Sequence, residues 1–270
     1  MRRILFIILL FSFLIVRCSR EDASHDAARL RFSITATPAD TINELFVDIQ
    51  QIEVMTHNDD DNSEEWIPLK FSGKRWDMKK LSNGEQVQLS DQFFPANKTI
   101  QKVKIIFGDN NKILTTKGEK QLNIPTKIEN GAIVDVVVHL DPSVICSVII
   151  DLHNVVADNK ATGSYLLDPF IRIYPETFGG SLTGVVTPPE ARARIKITNN
   201  KPQPDTLVSF PNFDGKFLYR GLEGGEWKVH VLAHPLSGFR DTVFIDSIEI
   251  GKVNQLRSGA IYLKPINPLK

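Results

Sequence analysis

Apolar and polar positions divide this chain into unlike stretches. Ile4 to Val16 is an almost unbroken run of Ile, Leu, Phe and Val behind the basic start Met1-Arg2-Arg3. The run stops at Arg17-Cys18 and turns polar at Ser19-Arg20-Glu21-Asp22. Such a run fits the apolar region of a secretory signal and falls short of the ~20 residues that span a bilayer. Residues 18–28 are mostly small or charged and read as a tether. From Leu30 onward the pattern is β: short segments rich in Val, Ile, Phe and Thr, separated by clusters of Gly, Pro, Asn and Asp.

Leu45 to Val54 partly alternates oily and polar residues, and Lys102 to Phe107 begins the same way and ends apolar. Ile133–Leu140 and Val144–Leu152 are denser apolar runs joined by Asp141-Pro142-Ser143. This predicts a hairpin whose strands are buried in part on both faces. Lys112–Thr116 and Gln121–Ile124, around Lys117-Gly118, predict another hairpin. A helical turn is expected around His153 to Asp158, and long amphipathic helices are absent. A strand from Tyr165 to Tyr174 meets Pro175, the pair Gly179-Gly180 follows, and the spacing then changes. The expected organisation is a signal over 1–17, a tether over 18–28, an N-terminal β domain over 29–176 and a smaller β-sandwich over 178–265. The expected fold class is all-β, with two sandwich-like domains.

Lys and Arg total 32 and Asp and Glu also 32. Loss of Arg2, Arg3 and Arg17 with a signal lowers the basic count from 32 to 29 and leaves a mature charge of −3. No basic excess exists to neutralise a phosphate backbone, so nucleic acid is not an expected partner. Only two cysteines occur. With Cys18 at the signal, Cys146 reads as an unpaired thiol in an apolar strand, and no disulfide framework is available within one chain.

A cysteine where the apolar run ends resembles a bacterial lipoprotein signal, in which the thiol is acylated and becomes the first mature residue. The usual small residue before it is Arg17 here. The resemblance implies a lipid tether at Cys18; a plain secretory cleavage elsewhere or a signal anchor are the other readings. Arg20-Glu21-Asp22 resembles the tags that send some Gram-negative lipoproteins to the outer face of the outer membrane.

The second unit opens Gly180-Ser181-Leu182-Thr183-Gly184-Val185-Val186. It continues with Asp214-Gly215-Lys216-Phe217 and then Gly221-Leu222-Glu223-Gly224-Gly225-Glu226-Trp227-Lys228-Val229-His230-Val231. This resembles the carboxypeptidase regulatory-like domain, a transthyretin-like (prealbumin-like) β-sandwich. Trp227, Val229 and Val231 share one strand face and are expected in its core.

The first unit resembles a bacterial lipoprotein family known as domain of unknown function 4382. The residues that carry the likeness are Thr37-Pro38-Ala39-Asp40, Phe46 to Ile49, Trp66 with Leu69, Leu81-Ser82-Asn83-Gly84, Phe94-Pro95-Ala96 and Leu166 to Arg172. Asn97 and Asp168 stand where the family usually has Gly and Lys. The family implies a β-rich secreted domain and assigns no activity.

Candidate chemistry is sparse. His57 to Glu65 is an acidic stretch in which Asp59, Asp60 and Asp61 offer oxygens to Ca²⁺. It lacks the glycine and spaced final Glu of an EF-hand, and a solvated hairpin loop is the favoured reading. Asp151 and His153 form a spaced acid–imidazole pair suited to base catalysis, yet no nucleophile motif stands with them, and a structural role is expected. Cys146 is disfavoured as a nucleophile because an apolar strand raises a thiol pKa. Trp66, Trp76, Tyr165, Tyr174, Phe210, Phe213 and Tyr219 are the aromatics available to stack on sugar rings. Trp66 and Trp76 are the foremost candidates, but the favoured reading is that Trp66 plugs the first sandwich.

The sequence therefore points to a non-catalytic, lipid-anchored envelope protein without a cofactor. It would act as a binding or display module for a glycan or an envelope protein. A structural component that pairs through its strand edges is the alternative.

Overall fold

The computed structural model describes residues 26–38, 42–58, 62–116, 118–153, 155–159 and 164–266. Cys18, Arg20, Glu21, Asp22, Asp59, Asp60 and Asp61 lie outside them. The architecture is all-β.

The first strands are β1 (Ala27–Thr37), β2 (Glu44–Asn58), β3 (Glu64–Pro68), β4 (Lys74–Asp77), β5 (Val87–Pro95) and β6 (Lys98–Phe107). They are followed by β7 (Lys112–Thr115), β8 (Gly118–Asn123), β9 (Ala132–Leu140), β10 (Ile145–His153), β11 (Val156–Asn159), β12 (Ser164–Leu167) and β13 (Phe170–Pro175). One sheet has the order β13-β10-β1-β5; the other runs β11-β12-β8-β7-β2-β6-β9, with β3 and β4 also paired to β2. Alternation in β1 sends Leu30, Phe32, Ile34 and Ala36 into a core shared with Leu45, Val47, Ile52 and Val54 of β2.

The remaining strands are β14 (Gly180–Thr187), β15 (Arg194–Asn199), β16 (Thr206–Ser209), β17 (Lys216–Leu222), β18 (Gly225–Leu232), β19 (Thr242–Ile248) and β20 (Val253–Tyr262). They form sheets of order β17-β14-β20 and β16-β15-β18-β19. A separate core joins Leu182, Ile195, Phe217, Trp227, Val229 and Val231. Tyr219 ties the two sheets together by donating its hydroxyl to the Ile195 carbonyl at 2.6 Å. At the Asp214-Gly215 turn Gly215 has φ +75°, and a β-carbon there would fall 2.1 Å from the Val186 carbonyl oxygen, so only glycine fits.

The hairpin expected around Lys117-Gly118 forms, with β7 antiparallel to β8. Several other expectations are corrected. The runs joined by Asp141-Pro142-Ser143 are β9 and β10, but they lie in different sheets. Every residue of β10 from Val148 to His153 is buried, so it needs neighbours on both edges, and it inserts between β1 and β13. In β9 buried positions are separated by exposed or half-buried ones, which suits the sheet edge it occupies.

The helical turn expected at His153 to Asp158 is not found among the described residues. His153 is paired to Thr37 and Phe170, and β11 starts at Val156. The single strand expected from Tyr165 to Tyr174 is broken at Asp168-Pro169 into β12 and β13, which join different sheets; Pro169 has no N–H to continue a ladder.

Candidate functional site

The outer face of the β13-β10-β1-β5 sheet carries polar and titratable side chains, and β17 of the second unit covers it. Register pairs Asp151 with both Arg172 and Thr35, so these side chains share that face. Arg172 Nη1 donates to Asp151 Oδ2 at 3.2 Å, and His153 Nε2 donates to the same oxygen at 2.8 Å. The guanidinium also reaches across the joint: Nη1 donates to the Arg220 carbonyl at 3.3 Å, and Nη2 donates to the Gly221 carbonyl. Arg172 further lies 5.0 Å from the Tyr174 ring centre. Ile149 and Tyr174 are buried here while belonging to neither core.

Asp151 is 5% and His153 4% exposed. The void beside them measures about 20 Å³, room for a water molecule and little else. Thr35 bonds the Leu81 carbonyl at 2.9 Å. Cys146 sits at the other end of β10, roughly 17 Å along the strand, where its thiol meets the His139 carbonyl at 3.3 Å. Burial pushes that thiol's pKa up. The Asp-His pair is thus brought together, as an i, i+2 spacing on a strand requires, and it is engaged in joining the two units.

Trp66 does not plug the first sandwich. It is 36% exposed on β3, opposite Met55 of β2, with Lys104 Nζ 5.4 Å from its ring centre. Ile67 takes the inward place next to it, because neighbouring residues on a strand face opposite ways. Trp76, on β4, packs against the core and is capped by Lys74 Nζ at 4.7 Å. The two tryptophans therefore present no common face for a sugar. Among the described residues no group of His, Cys, Asp and Glu is placed to hold a metal ion.

A more open feature lies where the units meet. A cleft of about 420 Å³ is walled on one side by Thr37 at the end of β1 and by Lys79 and Asn83 in and just after the 3₁₀ turn Met78–Leu81. Arg192, Phe210 and Phe213 wall the other side. Among the described lining residues none is acidic. Phe213 is fully exposed. Its loop is held by Asn212, whose Oδ1 accepts from the backbone N–H groups of Asp214 at 3.0 Å and Lys216 at 2.9 Å. Asn83 has φ +56°, and its Oδ1 is buried without a hydrogen-bond partner among the described residues. Arg192, at φ +42°, sets Nη2 3.2 Å from His234 Nδ1.

Sequence reasoning named Phe210 and Phe213 among the aromatics and Asn83 within the family likeness, but passed over Lys79 and Arg192. The available signal was the Phe-Pro-Asn-Phe-Asp-Gly context, since an aromatic inside turn residues has no strand face to hide on.

Residues 27–169 match the family DUF4382, described as a domain of unknown function. No curated protein matches the chain. Among solved structures it is similar to the shaft pilin SpaA of Lactobacillus rhamnosus GG, at 11% identity and a TM-score of 0.27, covering 90% of this chain and 100% of that one. It is also similar to GBS52, the minor pilin of Streptococcus agalactiae, at 12% identity and a TM-score of 0.27, covering 89% and 98%. The Bacillus anthracis TIE protein gives 11% identity and a TM-score of 0.25, covering 96% of this chain and 44% of that one.

Proposed function

The chain belongs to the DUF4382 family, and on that footing we propose that it is a non-catalytic protein of the cell envelope that binds a ligand between its two units. The observation that carries this reading is the cleft, which is concave, mixed apolar and polar, and within the size range of small-ligand sites. The Asp151-His153 pair supports the non-catalytic half, because its void has no space for a substrate.

In this reading residues 1–17 are a leader, Cys18 carries the lipid and Arg20-Glu21-Asp22 directs the protein to the outer face of an outer membrane. No described helix is long and apolar enough to cross a membrane. The N-terminal domain sits next to the tether, and the second unit is a carboxypeptidase regulatory-like sandwich that completes the cleft. A structural role through strand edges is the second reading. Val243 and Ile245 on β19, with Val253 and Tyr262 on β20, are exposed on strands that end their sheets, an arrangement open to strand addition.

The test compares intact cells bearing the native chain with cells bearing Cys18→Ala. The native protein stays in the membrane fraction and is cleaved by external protease, while the variant is released. Protection until the outer membrane is opened overturns the surface assignment. Cells displaying the protein are then captured on immobilised envelope polysaccharides or envelope proteins. Failure on both, with the protein at the surface, overturns the binding reading.

A further inference from the structure

We infer that a second groove, apart from the cleft, takes an extended peptide segment of alternating basic and apolar residues, added as a strand to the free edge of β13. This goes beyond the cleft reading and does not depend on it. The groove measures about 420 Å³ and is lined by the consecutive residues Phe170–Tyr174 of β13, by Asp135 of β9 and, from the second unit, by Asp205 and Glu223. It shares no described lining residue with the cleft.

Unpaired main chain sets the form of the occupant. Glu176 N–H donates to the Ser147 carbonyl at 2.8 Å. The β10–β13 register continues from there, and in an antiparallel ladder only every second residue is bonded to its partner. Tyr174, Arg172 and Phe170 are therefore the bonded positions, while Ile173 and Ile171 turn both N–H and C=O away from β10. Pro175 falls on the unbonded phase, as its missing N–H allows. β13 ends its sheet, and among the described residues nothing bonds the main chain of Ile171 or Ile173 on that side. The side chains of both pack into the first core, so what they give the groove is backbone. Donors and acceptors repeated at i, i+2 match the period of one extended strand.

Charge sets its composition. Asp135 is exposed on β9, opposite Lys102, and no ion pair joins the two among the described residues. Lys201 Nζ contacts Glu223 Oε2 and lies 3.9 Å from Asp205 Oδ2, so one ammonium faces two carboxylates whose side chains stay 43% and 54% exposed. Arg172, the cation in the lining, is held by Asp151 at 3.2 Å. The walls thus keep an excess of negative charge in a chain that is formally neutral. Basic side chains on an incoming strand complement it. Phe170 and Phe178, 50% and 43% exposed, line the same space and offer a partner to the apolar residues of that strand.

The experiment uses the full chain extracted in detergent and fluorescence anisotropy of a short labelled peptide of alternating lysine and valine. Comparison peptides carry glutamate in place of lysine, or methyl groups on every main-chain amide. The lysine peptide binds, and the glutamate peptide binds at least about tenfold more weakly. The methylated peptide, which has no N–H to give the Ile171 and Ile173 carbonyls, also binds at least about tenfold more weakly. Asp135→Asn and Glu223→Gln each weaken the lysine peptide by roughly threefold. The bound peptide slows hydrogen exchange at the Ile171 and Ile173 amides. Absence of binding up to about 1 mM overturns the inference, as does equal binding of the glutamate peptide. Equal binding of the methylated peptide, or unchanged exchange at both amides, overturns strand addition at β13. Self-association of the chain that the lysine peptide competes away would make a second copy the occupant and overturns the basic-peptide assignment.

Discussion

The ring of Tyr174 fills the space that a side chain at Gly221 would need. A β-carbon there falls 2.5 Å from Tyr174 Cε2, and Gly221 holds φ +58°. Gly221→Ala therefore combines a clash with a strained backbone, at a cost of about 2–4 kcal/mol. Urea unfolding of the native chain and the variant measures it. In a double-mutant cycle Tyr174→Ala recovers the steric part and leaves the backbone part.

Arg172 joins the units by holding Asp151 on its own sheet and two carbonyls of β17 on the other side. Arg172→Met leaves a buried carboxylate whose remaining side-chain partner is His153. The loss is about 3–5 kcal/mol, read as a lower urea midpoint. Asp151→Asn keeps the guanidinium on its carbonyls and loses less. Equal effects from the two variants would contradict this division of roles.

Tyr174 gives an alkaline signature. Its hydroxyl is buried without a hydrogen-bond partner among the described residues, so Tyr174→Phe is neutral or stabilising by about 1 kcal/mol or less at neutral pH. Burial, with the charge of Asp151 adding to it, raises the phenol above its ordinary value. A raised folded value means that stability is complete below the unfolded value of ~10 and falls as pH rises beyond it. Above about pH 10 the Phe variant gains on the native chain, as denaturant midpoints across pH will show.

An acid signature comes from Asp91. Arg29 Nε at 2.6 Å, with Arg31 Nε at 3.0 Å, holds this carboxyl below the usual carboxylate range. The contribution is complete above the unfolded value of ~3.9 and is lost as pH falls through the lower folded value. Asp91→Asn is thus less stable than the native chain by a constant margin down to about pH 5, and the margin closes below about pH 4. A margin unchanged to the acid limit would mean that the ion pair is not its source.

Local alternation was legible wherever one face of a strand meets a core, as with Trp227, Val229 and Val231 in β18. The β7–β8 hairpin was equally readable, because Gly118 lies inside the segment that closes it. Sheet membership was not. β10 lies between β13 and β1, the latter more than a hundred residues earlier, and nothing in the Asp141-Pro142-Ser143 turn distinguishes a hairpin from a crossing between sheets. Trp66 was misread because its five-residue strand has three exposed residues in a row and so no period to fix its face. The cleft was hidden for a related reason. Lys79 and Arg192 become neighbours of one space only when two independently patterned units meet.

The position of β1 has a mechanical consequence. It enters at Ala27, is paired with β5 from Ala27 to Ile34 on one edge and with β10 from Arg29 to Thr37 on the other, and ends at Thr37 on the wall of the cleft. Tension between Asp26 and a captured partner would run down one extended strand for about 33 Å. Between Arg29 and Ile34 both ladders resist together in shear, and beyond Ile34 the β10 ladder carries the load. A pull on a held ligand would be transmitted as through a stiff rod, with the second sandwich sitting beside the line of force.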